Sequence, residues 1–255
     1  MVLGVAIILV LIWFYTAGSK YGNISVNTPD SGITISTASS TPVAISSSTD
    51  SLPSVITKPA TQHPLIKRPL KFSSTLSSTE RASIQDKVNA QQVFLEKNPR
   101  DPFLWINMGS LRLIAGDTTG AKEAWEYVKV LAPKDGVPYF NLAAMYADNL
   151  KEYGAATVEY TKALELSPQN SSGYIALAQI YTDAYKTDTD LAEKTLVKGI
   201  AIIPNAYEIQ VSLARFYSAR QRNAEAKAMY AKAEASAIAA GRKDVAASIK
   251  AEAGE

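Results

Sequence analysis

The side chains that most often carry out catalysis or bind metals are scarce in this sequence, which contains one histidine and no cysteine. His63 lies in a Thr-Gln-His-Pro stretch, where no structured carboxylate or serine is predicted to orient its ring. A histidine-based triad is therefore not expected, and a metal site of several histidines cannot be built within one chain. The lack of cysteine excludes disulfides, thiolate zinc sites and cysteine nucleophiles.

Asp183, Asp188 and Asp190 form a cluster of carboxylates in a predicted turn. Acid–base catalysis needs two groups that divide the acid and base roles, and this turn offers no such second group. A calcium-binding loop needs a set ligand spacing and a glycine, which are also missing. We therefore predict that the chain is not an enzyme and that it uses no cofactor, metal or small-molecule substrate.

The charge balance argues against a nucleic-acid partner, because 26 basic and 24 acidic residues leave a formal net charge of +2. A nucleic-acid binder normally carries a marked excess of basic residues. Lys67, Arg68 and Lys71 form a small basic cluster, which we interpret as the solvated end of a linker.

The chain begins with an uncharged segment, residues 2–17, with the sequence VLGVAIILVLIWFYTA. As a helix it would span about 24 Å, slightly less than a bilayer core. It ends in a Trp-Phe-Tyr triplet, whose rings favour the lipid headgroup boundary. We predict a hydrophobic anchor helix over residues 1–17 that holds the chain at a membrane. Two alternatives remain, a secretory signal cleaved near Gly18 and a segment buried in a protein assembly.

Serine, threonine and proline are abundant in residues 18–76, so this region cannot bury enough apolar surface to offset the entropy of ordering it. We predict an extended linker, and such a linker beside an apolar anchor suggests the extracytoplasmic, cell-surface side of a membrane. Apolar and polar residues alternate around a Pro-Asp-Ser-Gly turn over residues 22–36, which favours a short β-hairpin. Asn23 and Asn170 match the N-glycosylation pattern, which is common by chance.

A helical region follows the linker. Ser77 and Glu80 have the spacing of a capping box and predict the start of a leading helix over residues 77–101. The residues that fall on one face of this helix are Ile84, Val88, Gln91 and Leu95.

An internal repeat dominates the rest of the chain. Prolines stand at positions 99, 133, 168 and 204, which are 34, 35 and 36 residues apart. The same step separates the small residues Gly109, Ala143, Ala178 and Ala214, and the residues four positions before them, which are Trp105, Tyr139, Tyr174 and Gln210. Each unit therefore predicts two helices that approach closely at small residues, with large residues between neighbours and a proline after the second helix.

These units resemble the tetratricopeptide repeat (TPR) family, whose first helix carries W-x2-L-G-x2-Y and whose second carries A-x3-F-x2-A followed by proline. The resemblance covers residues 102–240 and implies an all-α, right-handed helical solenoid of about four repeats, with the aromatic residues as inter-helix core. The units span about 102–135, 136–170, 171–206 and 207–240. A capping helix is expected over residues 241–255. The units depart from the pattern in four ways: about one extra residue in the helix–helix turn of the second unit, near Leu150, about two in DAYKTDTD of the third, a missing aromatic at Gln210, and no closing proline in the fourth unit.

The resemblance implies that ligands lie in a concave groove lined by the first helix of each repeat. The ligand-facing positions are Phe103, Ile106, Asn107, Ser110, Leu113 and Ile114 in the first repeat, Val137, Phe140, Asn141 and Asp148 in the second, Ile175, Gln179 and Asp183 in the third, and Val211 and Arg215 in the fourth. Family members that hold a C-terminal carboxylate use lysine and arginine beside asparagine at these positions. In this chain Asn107 and Asn141 are present, but Arg215 is the first cation among the ligand-facing positions, so a carboxylate clamp is not expected. The apolar stripe of the first two repeats instead predicts an apolar peptide or helix as partner.

Two functional hypotheses follow from this organisation. The first is a membrane-anchored, extracytoplasmic scaffold for protein–protein interaction, which binds a protein partner in the groove. The alternative is a self-assembling subunit of a surface filament or pilus-like fibre, in which the N-terminal apolar segment packs among copies of the chain. The groove also has an internal candidate occupant, either the helix of residues 77–96 or the hairpin.

Overall fold

The computed structural model describes residues 63–187 and 189–254, and within these ranges the chain is helical and contains no β-strand. The helices are α1 (Ser78–Lys97), α2 (Pro102–Ala115), α3 (Thr118–Leu131), α4 (Val137–Ala144), α5 (Tyr153–Leu166), α6 (Ser171–Asp183), α7 (Leu191–Ile202), α8 (Tyr207–Ala219), α9 (Asn223–Ala239) and α10 (Lys243–Glu252). No helix in these ranges combines the length and the apolar character that crossing a bilayer requires. The predicted anchor, residues 1–17, and the predicted hairpin, residues 22–36, lie outside the described residues.

Short polar residues begin several of these helices, where the first backbone N–H groups lack a partner within the helix. The predicted capping box is confirmed, because the Ser77 N–H donates to Glu80 Oε2 over 2.8 Å and the Glu80 N–H donates to Ser77 Oγ over 3.3 Å. Asp101 caps α2, which begins with a proline. Asn170 accepts a hydrogen bond from the Gly173 N–H at the start of α6. These caps define where the repeat helices begin.

Successive helices pair as the repeat pattern predicts, α2 with α3, α4 with α5, α6 with α7, and α8 with α9. Within the first pair, a Cβ atom on Gly109 would lie 2.4 Å from Nε1 of Trp125, so a larger residue here would displace this ring. The same Nε1 donates to the Ile106 carbonyl over 3.2 Å. A continuous core then runs from α3 to α10.

The N-terminal end of the stack is closed by α1 and by residues 63–76, which we call the strap. The strap residues that pack against a second core cluster on α1, α2 and α3 are Ile66, Leu70, Phe72 and Leu76. The Ser73 N–H donates to the Ala115 carbonyl over 2.7 Å, and the Arg112 guanidinium donates to the Arg68 carbonyl over 2.8 Å. The strap is therefore part of the folded unit.

The strap corrects the prediction that residues 18–76 are wholly extended linker with a solvated basic end. The Arg68 guanidinium pairs with Glu123 on α3, and this hydrogen bond raises the pKa of Arg68. Lys67 Nζ lies 2.6 Å from Glu96 Oε1 on α1, although the lysine side chain is largely exposed. Both acidic partners are distant in sequence, so composition alone could not reveal these contacts.

The extra residue predicted for the second repeat is absorbed within its first helix and not in the turn that follows. Helix α4 continues as a π-helix over Met145–Leu150, whose wider turn takes in one more residue. Lys151, with φ 58°, ends this segment, and the Glu152 N–H donates to the Tyr146 carbonyl over 2.8 Å. In the third repeat the additional residues form the loop between α6 and α7, where Lys186 has φ 55°.

Gln210, which interrupts the aromatic pattern, is fully buried. Its Nε2 donates to the Pro204 carbonyl over 2.6 Å, and Trp105 Nε1 makes the matching bond to the Pro99 carbonyl over 2.8 Å in the first repeat. The glutamine amide therefore replaces the indole N–H in a bond to the carbonyl six residues earlier.

Charged side chains join the third and fourth repeats. The Arg222 guanidinium donates to both carboxylate oxygens of Glu193 over 2.7 and 3.1 Å, and the Tyr217 hydroxyl donates to the same carboxylate over 3.0 Å. The hydrogen bond from Arg222 lowers the pKa of Glu193, against the effect of burial. After the fourth repeat, α10 packs on α9 through buried Ala246 and Ile249. Helix α10 lies within the range predicted for a capping helix.

Candidate protein-binding surface

The positions that the repeat resemblance assigns to ligand contact differ widely in exposure. Three apolar side chains are well exposed, Phe103 at 62%, Ile114 at 46% and Val137 at 39%. Phe103 precedes the buried Trp105 by two residues, and two residues of an α-helix lie about 200° apart around its axis. The helix that buries Trp105 therefore presents Phe103 on its opposite side. We call Phe103, Ile114 and Val137, with the asparagines described below, the first-helix surface.

Other apolar positions of the predicted groove are partly buried, because they pack against the core. They are Ile106, Leu113, Phe140 and Ile175. A Cβ atom on Gly173 would lie 2.5 Å from the Phe140 ring, and the ring centroids of Phe140 and Tyr160 are 6.3 Å apart. Phe140 therefore fills the contact between the first helices of two repeats, and the exposed apolar stripe is narrower than predicted.

Asn107 and Asn141 occupy the same position in successive repeats, and both are half-buried. Within the described ranges, neither side chain makes a hydrogen bond. Each amide therefore keeps its donors and its acceptor for another molecule. Ser110 differs, since its hydroxyl donates to the Ile106 carbonyl over 3.1 Å.

The acidic positions of the predicted groove belong to the second and third repeats. Asp148 belongs to the π-helix and is exposed. Partial desolvation of its carboxyl group raises the pKa of Asp148, and the nearby charge of Lys151 opposes this shift. Burial, with a smaller effect of Asp148, raises the pKa of Tyr160. Gln179 and Asp183 are exposed on α6. These side chains add polar and negatively charged groups beyond the apolar positions.

The fourth repeat does not supply the contacts predicted for it. Val211 is only 8% exposed and belongs to the core, so it cannot reach a partner in the folded chain. The Arg215 guanidinium donates to both carboxylate oxygens of Glu252 on α10, each over 2.7 Å, and this pairing lowers the pKa of Glu252. Tyr230 donates to the same carboxylate over 2.8 Å. Helix α10 thus engages the one cation that the predicted groove contained.

The side chains considered for chemistry are not brought together. His63 lies beside two aromatic rings, with centroid separations of 6.1 Å from Trp105 and 6.4 Å from Tyr127. Asp190 pairs with Lys194 over 2.7 Å, whereas Asp188 lies outside the described residues. Across residues 63–187 and 189–254, no three histidine, aspartate or glutamate side chains gather as metal ligands.

Among the exposed apolar residues that reasoning from the repeat did not predict, two are adjacent on α1. Val93 and Phe94 on α1 are 50% and 55% exposed. They flank the buried face of α1, next to Leu95, and precede the first complete repeat. Both residues fall outside the face of α1 that is formed by Ile84, Val88 and Leu95. Helical spacing in the sequence could therefore have indicated that they are exposed.

No protein-family model matches this chain, and no curated protein matches it in sequence. A crystal structure of MamA, a TPR protein, is 19% identical with a TM-score of 0.51, and the match covers 64% of this chain and 93% of that one. A second crystal structure of MamA protein is 20% identical with a TM-score of 0.50, covering 64% and 87%. TTC0263, a thermophilic TPR protein in Thermus thermophilus, is 23% identical with a TM-score of 0.46, covering 66% and 91%. The MamA structures show that this chain has the fold of a TPR-type helical solenoid.

Proposed function

We propose that this chain is a non-catalytic scaffold that binds a protein partner on the first-helix surface of its first two repeats. The observation that carries the proposal is the exposure of Phe103, Ile114 and Val137, the first of them at 62%. An exposed phenylalanine contributes little to folding, whereas a partner that covers it gains about 1.5–3 kcal/mol from its burial.

The chemistry of the surface supports an apolar peptide or helix as the partner. The apolar side chains offer contacts for the partner's own apolar residues. Asn107 and Asn141 offer unused amides one repeat apart, which suit the N–H and C=O groups of a peptide backbone. The apolar side chains then supply affinity, and the two amides fix the position of the bound peptide along the surface.

The leading helix does not fill this surface. Helix α1 packs through Ile84, Val88 and Leu95 into the same cluster as Trp105, while Phe103 stays exposed. The strap packs into that cluster as well and also leaves Phe103 exposed. The idea that residues 77–96 occupy the groove therefore does not account for the exposed positions, and the hairpin lies outside the described residues.

Replacing Phe103 with aspartate is expected to weaken partner binding at least about tenfold while leaving the melting temperature unchanged, because the side chain is an exposed apolar anchor. Quantitative pull-down with the full-length chain measures the effect, with Val158→Asp as the matched control. Val158 is 68% exposed on α5, the second helix of its repeat. Phe140→Asp is a poorer test, because that ring packs against Gly173 and Tyr160. If wild type, F103D and V158D recover every partner equally, the first-helix surface is not the binding site.

We further propose that residues 2–17 anchor the chain in a membrane, with the repeats on the extracytoplasmic side. The proposal rests on their uncharged sequence and on the Ser/Thr-rich region that follows. The full-length chain is expected to stay in the membrane pellet after an alkaline wash, with a mature mass that includes residues 2–17, and to be cut by protease added to intact cells. A mature mass that begins near Gly18 would identify a cleaved signal. Filaments in negative-stain images of purified surface material would favour the alternative of a self-assembling subunit.

A further inference from the structure

Helix α10 has the register of a first helix, although no second helix follows it among the described residues. Its buried residues Ala246 and Ile249 are three positions apart, and α10 packs mainly on α9. First helices of the complete repeats bury pairs with the same spacing, which are Trp105 with Met108, Tyr174 with Leu177, and Gln210 with Leu213. Alanine therefore stands where these helices bury a large side chain, so α10 buries less surface than they do.

The next contact along α10 is also weaker than its equivalents. Three positions after the buried leucine, the first helices of the second, third and fourth repeats have Met145, Ile180 and Phe216, all apolar and buried. At that position α10 has Glu252, which pairs with Arg215 on α8, and the two side chains are 35% and 63% exposed. Exposed ion pairs are screened by salt and contribute little to stability. We therefore expect α10 to open more readily than the other first helices.

Three donors converge on the Glu252 carboxylate. Arg215 Nε donates to one oxygen and Arg215 Nη2 to the other, each over 2.7 Å, and the Tyr230 hydroxyl donates over 2.8 Å. A two-pronged contact from arginine matches the planar geometry of a carboxylate. Arg215 belongs to α8 and Tyr230 to α9, so these donors stay with the repeats when α10 moves away. Together they form a carboxylate-binding site that α10 fills.

We propose that α10 is a displaceable cap over a second protein-binding site, and that a short helix of a partner protein replaces it there. The partner helix has the pattern of α10, with two apolar residues three positions apart and a glutamate three positions after the second. Its glutamate accepts from Arg215 and Tyr230, and its apolar residues take the places of Ala246 and Ile249 on α9. The structure selects this chemistry because a segment of that composition already occupies the site.

The cap inhibits the site, because its covalent connection to α9 gives α10 a high effective concentration that a separate helix must outcompete. The site lies in the fourth repeat, whereas the first-helix surface lies in the first two. The two sites are therefore independent, and the cap regulates one of them.

Glu252→Gln is expected to speed hydrogen exchange of the α10 amides several-fold and to leave α6 unchanged, because it weakens the contact with Arg215 and Tyr230. Residue-resolved exchange of the full-length chain measures the effect. Glu234→Gln is the matched control, because Glu234 lies on α9 and makes no ion pair with a described residue. Equal exchange of α10 in wild type, E252Q and E234Q would show that Glu252 does not hold the cap.

Binding at the uncovered site is tested by fluorescence anisotropy with a labelled peptide that has the sequence of residues 241–255. The peptide is expected to bind full-length E252Q several-fold more tightly than wild type, because the weakened cap leaves the site open in a larger fraction of molecules. Adding Arg215→Gln to E252Q should remove this gain, as should glutamine in place of the peptide's own Glu252. Equal binding to wild type, E252Q and the double variant would overturn the proposal.

Two further measurements separate this site from the proposed function and from self-association. Phe103→Asp is expected to leave peptide binding unchanged in the E252Q background, so failure at the first-helix surface does not affect this test. Light scattering is expected to show no increase in molecular mass for E252Q. A dimer in that variant would identify α10 of a second copy as the occupant, which contradicts the choice of a partner helix.

Discussion

Replacing Asp117 with alanine is expected to lower the free energy of unfolding by about 3–5 kcal/mol, because it leaves the Arg112 guanidinium buried without its carboxylate. Arg112 Nη1 lies 2.6 Å from Asp117 Oδ2, and the two side chains are 3% and 0% exposed. Asp117 also caps α3 by accepting from the Gly120 N–H over 3.1 Å. Urea denaturation of the full-length chain, followed by far-UV circular dichroism, measures the loss.

The control for this prediction comes from the other repeats, which have tyrosine where the first repeat has Arg112. The double variant Arg112→Tyr with Asp117→Ser removes the buried charge and keeps a capping hydroxyl. It is expected to be more stable than D117A alone. Hydrogen exchange at the Ser73 amide should quicken in D117A, since Arg112 also holds the strap through the Arg68 carbonyl. A loss below about 1 kcal/mol in D117A, typical of exposed ion pairs, would contradict the assignment of a structural pair.

Replacing Trp125 with alanine is expected to cost about 3–5 kcal/mol, since it opens a cavity between the first two repeats. The indole is 2% exposed, sits against the backbone of Gly109 and donates to the Ile106 carbonyl. Because each repeat contacts mainly its neighbours, the faster hydrogen exchange should be concentrated in α2, α3 and α4. Denaturation combined with residue-resolved exchange measures both effects.

Two matched variants test whether close packing at this site is the cause. Gly109→Ala is expected to cost about 1–3 kcal/mol, because its Cβ would meet the Trp125 ring at 2.4–2.7 Å. Val158→Ala, at a side chain that is 68% exposed, should change stability by less than about 0.5 kcal/mol. If W125A loses no more than V158A, the ring does not hold the two repeats together.

The repeat architecture could be predicted because its signals are local and periodic. Prolines mark the ends of second helices, small residues mark close helix contacts, and Ser77 with Glu80 marks a helix start through bonds made within one turn. The pattern also identified Trp105 and Trp125 as core residues, and both are buried. The insertion in the second repeat was detected, but its form was not, because one extra residue fits equally well into a turn or into a π-helix.

The candidate site was predicted less well, because exposure depends on which other segment covers a given face. Phe103 and Phe140 are both apolar first-helix residues, yet Gly173 on the next first helix lets the Phe140 ring pack while Phe103 stays exposed. Arg215 looked like a free cation until Glu252, far along the chain, was seen to pair with it. Such pairs have no spacing rule that one sequence can reveal.

The amino-acid sequence by itself determined the solenoid, since a 34- to 36-residue period of prolines, small residues and aromatics is satisfied only by stacked helix pairs. Tertiary structure alone decided which side chains remain available to a partner. It buried Val211, engaged Arg215 and folded the strap over the first repeat. The physical reason is that the period follows from contacts within and between adjacent repeats, whereas exposure at a given residue follows from long-range packing against the capping segments.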